Sequence, residues 1–197
     1  MRGGSVAIAV YLMFAHRAAA TLDIVSLYIS GGATIVEASA TVILPNVPSP
    51  ITGDLALWST VQLDKDFIQG VSENAPAGLG YCTNLGSNWC NFAYALTPNV
   101  QVGKSVIAAP GARVRTHCGV RKGNVFYISV ECAARPCAAA PAHSWENVSV
   151  ILGTPNPKWK HTGSWNFGAT GGEMTTSDGG KTWVLTTLNI PTSSALC

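Results

Sequence analysis

The stretch NVFYISVE, residues 124–131, is one of the two clearest strand candidates in the chain. Its β-branched and aromatic residues are typical of a β-strand. A second clear strand, WENVSVIL, covers residues 145–152. Outside the first twenty residues, no window combines helical capping residues with an apolar period of 3.6. The chain is therefore expected to be built from strands.

Further strand candidates are short and β-branched, and Gly, Pro and Asn separate them: residues 34–44, 55–63, 67–71, 91–96, 105–109, 112–117 and 183–190. This spacing predicts an all-β fold, an antiparallel β-sandwich or jelly roll. Residues 118–125 are predicted to be a short connection, and the C-terminal TSSALC a tail. No repeat, low-complexity linker or composition shift divides the chain. We therefore expect one sandwich domain over residues 21–197.

Residues 1–20 have the composition of a secretory signal peptide. MRGG is a short basic start, the following SVAIAVYLMFA is too short to span a bilayer, and AAA offers a small-residue cleavage site. Cleavage is expected after Ala20. This predicts an extracellular protein with no membrane span in the mature chain.

The charge of the mature chain limits its partners. The sequence has 12 basic and 10 acidic residues, and removing Arg2 and Arg17 would leave the two signs balanced. A neutral chain without a Lys/Arg stripe argues against nucleic acid or an anionic membrane surface as partner.

Cysteines suggest a disulfide framework, because secreted proteins keep their thiols oxidised. Cys82 and Cys90 flank the loop TNLGSNW, and Cys132 and Cys137 flank AARP. Proximity predicts these two local pairs, while the remaining two cysteines either pair with each other or stay free.

A metal site is not predicted. No two cysteines stand two residues apart, and the four histidines are scattered. Cys118 and Cys197, which remain unassigned, are therefore not expected to bind zinc. No cofactor is expected either.

The segment TTSDGGKTW, residues 175–183, matches the Asp box, the hairpin that is repeated in sialidase propellers. Asp178 can accept backbone N–H bonds, and Gly179 and Gly180 permit positive φ. One copy cannot build a propeller, which needs several four-stranded blades. The segment is therefore predicted to be a stable hairpin rather than a glycan-cleaving site.

Asn147-Val148-Ser149 is an N-glycosylation sequon, so Asn147 is expected to face solvent. Strand alternation would then place Glu146 with Val148 and Val150 on the opposite, mainly apolar face. A carboxyl buried there would have a raised pKa, which suits acid–base chemistry as well as a purely structural role.

Two common hydrolase patterns are absent. Sandwich glucanases supply their carboxylates from one strand as Glu-x-Asp-x-x-Glu, and no strand candidate contains that pattern. The chain also lacks the Gly-x-Ser-x-Gly elbow of serine hydrolases.

Five stretches form an ordered series along the chain: residues 39–63, FIQG at 67–70, residues 89–117, HSWENVSVIL at 143–152 and residues 165–180. In this order they resemble the eqolisins, the fungal glutamic peptidases with a concanavalin A-like sandwich. The resemblance implies a secreted, fungal-type protein that acts on extracellular polypeptide.

The resemblance also implies catalytic positions. In eqolisins a glutamate acts as general base and a glutamine amide stabilises the oxyanion. FIQG matches the glutamine at Gln69, and SWEN makes Glu146 the nearest candidate base. The eqolisin glutamate stands three residues after its tryptophan, where this chain has Val148. Glu146 follows Trp145 directly, a displacement of about 6.6 Å along a strand. Because catalysis tolerates a misplacement of only about 1 Å, peptidase activity is expected to be absent or altered.

Two alternatives remain open. The sandwich could be a binding module for an extracellular glycan or peptide, with Trp58, Trp89 and Tyr94 supplying stacking surface on one concave face. Alternatively, it could be a disulfide-stapled cell-surface protein without a small ligand.

Overall fold

The computed structural model describes residues 21–97, 99–161 and 163–196, so the expected signal peptide and Cys197 lie outside it. The strands in these ranges are β1 (Thr21–Tyr28), β2 (Ile35–Ile43), β3 (Asp54–Gln62), β4 (Phe67–Asn74), β5 (Trp89–Leu96), β6 (Gln101–Val102), β7 (Val106–Ala108), β8 (Arg113–Gly123), β9 (Val125–Ala134), β10 (Cys137–Ala139), β11 (His143–Leu152), β12 (Ser164–Trp165), β13 (Thr170–Gly171), β14 (Thr182–Ile190) and β15 (Ala195–Leu196). One 3-10 turn covers Trp159–His161. No helix in the described ranges is long and apolar enough to cross a membrane.

The strands form two main antiparallel sheets. Sheet A has the order β12-β1-β9-β3-β4-β5-β6, with β7 also paired to β5. Sheet B has the order β13-β14-β11-β2-β8, and β10 pairs with β15 beside them. The predicted all-β antiparallel sandwich is confirmed.

The hydrophobic core lies between the two sheets. One continuous cluster joins apolar side chains of sheet A, such as Leu57 and Phe126, with side chains of sheet B, such as Trp145 and Trp183. All four are at most 2% exposed. Burying aromatic and aliphatic side chains from both sheets supplies the main driving force for this packing.

The connection predicted at residues 118–125 is instead mostly strand. β8 continues to Gly123, and only Asn124 separates it from β9, so one residue carries the chain from sheet B to sheet A. The Asn124 backbone N–H donates to Gln62 O at 2.7 Å, and its carbonyl accepts from Ile29 N–H at 2.9 Å. These two bonds satisfy the backbone of Asn124, so no longer loop is needed at this crossing. The predicted tail likewise contains a short strand, β15.

β11 is bulged, which changes the predicted faces of this strand. Asn147 has a φ of 51°, and the pairing with β2 shifts between Glu146 and Ser149. The extra residue inverts the alternation. Trp145 and Val148 therefore both point into the core, while Glu146 points outward. The expectation that Glu146 shares a face with Val148 is wrong for this reason, and Glu146 is half-buried on the outer side.

Both predicted disulfides, Cys82–Cys90 and Cys132–Cys137, are confirmed. Cys118 is buried as a free thiol. Any pairing with Cys197 lies outside the described residues.

The Asp-box segment forms the predicted turn. Asp178 Oδ1 accepts the backbone N–H groups of Thr182 at 2.8 Å and Lys181 at 3.1 Å, and Gly179 and Gly180 have positive φ. Bonding to Thr182 N–H, above all, lowers the pKa of Asp178 to about 2.

Candidate functional site

The two residues matched to the eqolisin catalytic pair lie on different sheets. Gln69 is on β4 of sheet A, directly opposite Thr60 and Tyr94, and it points away from the core. Glu146 is on β11 of sheet B, where its carboxylate forms an ion pair with Arg113. Both side chains point outward from opposite layers, so the thickness of the sandwich separates them.

Among the described residues, the two glutamates on the outer face of sheet A lie in a row distant from Gln69. Glu73 stands four residues further along the same strand, and Glu131 occupies the same row as Glu73, two strands away. Four residues of extended chain span about 13 Å. A general base and an oxyanion donor must both reach one carbonyl group within hydrogen-bond distance. The described residues therefore do not assemble a glutamine–glutamate pair on this face.

Aromatic side chains cover the centre of the outer face of sheet A. We call this surface the aromatic face; it consists of Trp58, Phe67, Phe92, Tyr94 and Tyr127, which pack in a cluster separate from the core. Phe67 stacks on Tyr94 with ring centroids 5.7 Å apart. Trp58 and Tyr94 are almost fully buried, whereas the other three are half-buried. Buried rings thus support a rim of partly accessible ones.

Two further aromatic contacts extend the aromatic face on both sides. Tyr28, which is 45% exposed, meets Tyr127 edge to face with centroids 6.3 Å apart. Tyr81, 50% exposed, lies over Phe92 at 4.7 Å. Exposed rings at both margins give the aromatic face a width of several strands.

Trp89 does not share this face, so the expectation that it would stack with Trp58 and Tyr94 is wrong. It is fully buried in the core between the sheets, where its Nε1 donates to Pro45 O at 2.8 Å. Trp58 and Tyr94 stand on the same face as expected. Their role in binding stays a prediction.

Three carboxyl groups gather at one end of the aromatic face. Glu73 and Glu131 flank the small side chain of Ala56 on its two neighbouring strands, and Asp54 interacts electrostatically with both. We call these three acids the acidic end. Trp58 Nε1 donates to Glu131 Oε2 at 2.9 Å, which links the acidic end to the aromatic face.

Burial sets the protonation of the acidic end. Desolvation, followed by the charges of Glu73 and Glu131, raises the pKa of Asp54 to about 7. Desolvation also raises the pKa of Glu73 and that of Glu131. Asp54 Oδ1 is buried without a hydrogen-bond partner among the described residues, in keeping with a carboxyl that resists ionisation.

Glu73 also has a structural role. Its Oε1 accepts the backbone N–H groups of Tyr81 at 2.5 Å and Cys82 at 3.0 Å. A Cβ at Gly80 would lie 2.7 Å from that oxygen, and Gly80 has a φ of 73°. The glycine therefore lets the loop close over the carboxylate.

Glu73 approaches the sulfurs of Cys82 and Cys90 closely, with all three candidate ligand atoms within 4.8 Å of one another. The two sulfurs are joined in a disulfide and cannot act as thiolate ligands. This donor set therefore does not suit a metal ion.

The outer face of sheet B differs in character. Glu146 pairs with Arg113, and Glu37 lies 3.8 Å from His117 Nδ1. Asn147 is exposed there, at the bulge of β11. Its glycosylation stays a prediction.

Tyr127 and Glu131 were not singled out from the sequence, although both lie in NVFYISVE. They stand four residues apart, so strand alternation places them on one face. Their spacing could have shown that they share a face. However, β9 is buried on both faces, so its apolar residues do not indicate which face points outward.

No family model matches the chain, and no curated protein matches it. Among solved structures it is similar to SCP-B, a member of the eqolisin family of peptidases, solved with the tripeptide Ala-Ile-His. The two share 10% identity at a TM-score of 0.43, over 88% of this chain and 98% of the other. It is also similar to scytalido-glutamic peptidase, solved with a transition-state analogue inhibitor, at 10% identity and a TM-score of 0.42 over the same shares.

Proposed function

We propose that this is a secreted β-sandwich protein without glutamic peptidase activity, and that its aromatic face binds an extracellular glycan. The observation that carries the proposal is the aromatic face itself: a band of half-buried rings, supported from below by Trp58 and Tyr94, with amide and carboxylate groups around it. The separation of Gln69 from Glu146 supports the loss of peptidase chemistry.

The side chains of this face match the chemistry of a sugar chain. The apolar faces of sugar rings pack on aromatic rings, which Tyr127 and Phe92 would provide. Sugar hydroxyl groups need hydrogen-bond partners, and the half-buried Gln62 and Gln69 lie in the rows beside these rings. Glu131 Oε2 accepts from Trp58 Nε1, and the half-buried carboxylate could also accept from a sugar hydroxyl.

Two observations support an extracellular location. Disulfides persist in oxidising compartments, and the described residues contain two. The sequon residue Asn147 is exposed, as a glycosylated asparagine must be.

The test is retention of the purified chain on immobilised β-glucan, xylan, mannan and chitin. We expect retention on at least one polysaccharide, with loss in a Tyr127→Ala variant. Arg115→Ala, on the exposed outer face of sheet B, is the matched control and should be retained like the wild type. Failure to bind all four polysaccharides, or equal binding by Tyr127→Ala, would contradict the proposal.

A further inference from the structure

A groove of about 390 Å³ lies on the outer face of sheet B, on the opposite side of the sandwich from the aromatic face. Its lining comes from four neighbouring strands of this sheet, β14, β11, β2 and β8. The volume is in the usual range for small-ligand sites, about 300 to 1,000 Å³. The proposed binding of a glycan by the aromatic face does not involve this groove.

The bulge of β11 forms the middle of the groove. Between the pairs Thr41–Glu146 and Ser39–Ser149, β2 has one residue and β11 has two. Asn147 accommodates the extra residue with a φ of 51°, in the left-handed region that asparagine adopts more readily than most residues. Asn147 is an exposed part of the groove's lining. A group attached to its side chain would therefore begin at the groove.

Exposed polar groups and an exposed apolar side chain line the groove. Val184 is 42% exposed and stands directly opposite the half-buried Ser149 on the neighbouring strand. Arg115 is exposed, and its Nη2 donates to Ser39 Oγ at 3.5 Å, which places the guanidinium over β2. Thr186, also exposed, adds a hydroxyl group. The groove thus combines hydrogen-bonding groups with an apolar patch that a ligand can reach.

These groups match N-acetylglucosamine, the first sugar of an N-linked glycan. Its acetyl methyl group is apolar and can pack on Val184, whereas its hydroxyl and amide groups can bond to Arg115 and Ser149. The sequon Asn147-Val148-Ser149 puts the attachment point for this sugar in the lining itself. Because an attached sugar stays at a high local concentration beside the groove, weak contacts are enough to hold it there.

We propose that Asn147 carries an N-linked glycan and that the groove, which we call the Asn147 groove, holds the first sugar of that glycan. Attachment joins the amide nitrogen of Asn147 to the anomeric carbon of the sugar. The amide loses one proton, and the diphosphate of the lipid-linked sugar donor leaves. The held sugar covers Val184 and the bulge of β11. This inference needs passage through the secretory pathway and is independent of the aromatic face.

The test compares three forms of the same mature chain: secreted with its glycan, trimmed by an endoglycosidase to one N-acetylglucosamine, and bare. The bare form is made in a bacterial periplasm, where disulfides form. The intact mass of the secreted chain should show a glycan. In the trimmed form, NMR should show a nuclear Overhauser effect between the acetyl methyl group and the Val184 methyl groups. Hydrogen exchange at the Asn147 and Val148 amides should be about tenfold slower than in the bare form.

A pair of matched variants tests the apolar contact. Val184→Ser leaves the sequon intact, so the glycan should remain while the slower exchange is lost. Val106→Ser, the same change at a position on sheet A that is 63% exposed, should behave like the wild type. An unmodified Asn147 in the secreted chain, no Overhauser effect to Val184, equal exchange in the trimmed and bare forms, or slow exchange that survives in Val184→Ser would overturn the proposal.

Discussion

Carboxyl side chains have opposite surroundings on the outer faces of the two sheets. On sheet B, Glu146 and Glu37 are partly exposed, and each lies beside a basic side chain. On sheet A, Glu73 and Asp54 are at most 4% exposed, and no salt bridge to a cation is formed by either among the described residues. Glu146 and Glu37 on sheet B are surface groups beside basic side chains, whereas burial raises the pKa values of Glu73 and Asp54 on sheet A.

This difference indicates that the outer face of sheet A is the functional one. A buried carboxyl without a cation costs stability, and such groups concentrate where a protein uses them. The acidic end also adjoins the aromatic face, which is the other unusual surface of the molecule. Sheet B carries the residue that sequence matching suggested, Glu146, in an environment that gives it no special chemistry.

The largest expected effect is on the acidic end. The pKa of Asp54 is about 7 in the folded protein, against an ordinary value of 3.8. Below pH 3.8 the carboxyl is neutral in both the folded and the unfolded state, so it does not lower the free energy of unfolding. As the pH rises from 3.8 through 7, this free energy falls, because ionisation is easier in the unfolded chain. Asp54→Asn should therefore raise the free energy of unfolding by up to about 4 kcal/mol at pH 8 and leave it nearly unchanged at pH 3.5. Urea unfolding of both proteins at the two pH values measures this. A pH-independent difference would break the comparison between the faces.

The next effect concerns the loop that Glu73 holds. Glu73→Ala removes the acceptor of the Tyr81 and Cys82 N–H groups, whereas Glu73→Gln retains an oxygen there. The alanine variant should be less stable than the glutamine variant by about 1 to 3 kcal/mol. Hydrogen exchange at these two amides should accelerate in the alanine variant alone. Equal stability of the two variants would show that the loop does not depend on Glu73.

The smallest effect is expected on sheet B. Glu146→Gln removes the charge that pairs with Arg113, an exposed pair whose partners are 28% and 54% accessible. Exposed pairs contribute about 0 to 1 kcal/mol, so the free energy of unfolding should change by less than 1 kcal/mol. Thermal unfolding at low and high salt checks this result. A loss as large as that expected for Glu73→Ala would mean that Glu146 has a structural role.

The strands could be predicted because β-branched runs and Gly/Pro breaks are local properties. The faces could not be predicted where a local irregularity intervened. The bulge at Asn147 inverted the alternation of β11, and nothing in HSWENVSV marks it. Likewise, residues 118–125 were expected to be a short connection, although β8 continues to Gly123 and Asn124 alone links the two sheets.

The candidate site depended on long-range pairing, which the sequence does not display. Glu73 and Glu131 are far apart in the chain and become neighbours of Ala56 only through the order β9-β3-β4. Trp58 and Tyr94 could be proposed as a pair of binding residues, whereas Trp89 was misplaced because its tryptophan ring suits a core equally well. Only their burial in the folded protein distinguishes core aromatic residues from those on the outer face.

The polysaccharide affinities of two variants decide whether the aromatic face is the binding surface. The polysaccharide that retains the wild type would be titrated into Tyr127→Ala, on the aromatic face, and Arg115→Ala, on the outer face of sheet B. We expect a loss of about tenfold or more for Tyr127→Ala, since truncating a central aromatic contact costs about 2 kcal/mol, and no change for Arg115→Ala. Equal affinities, or a loss confined to Arg115→Ala, would contradict it.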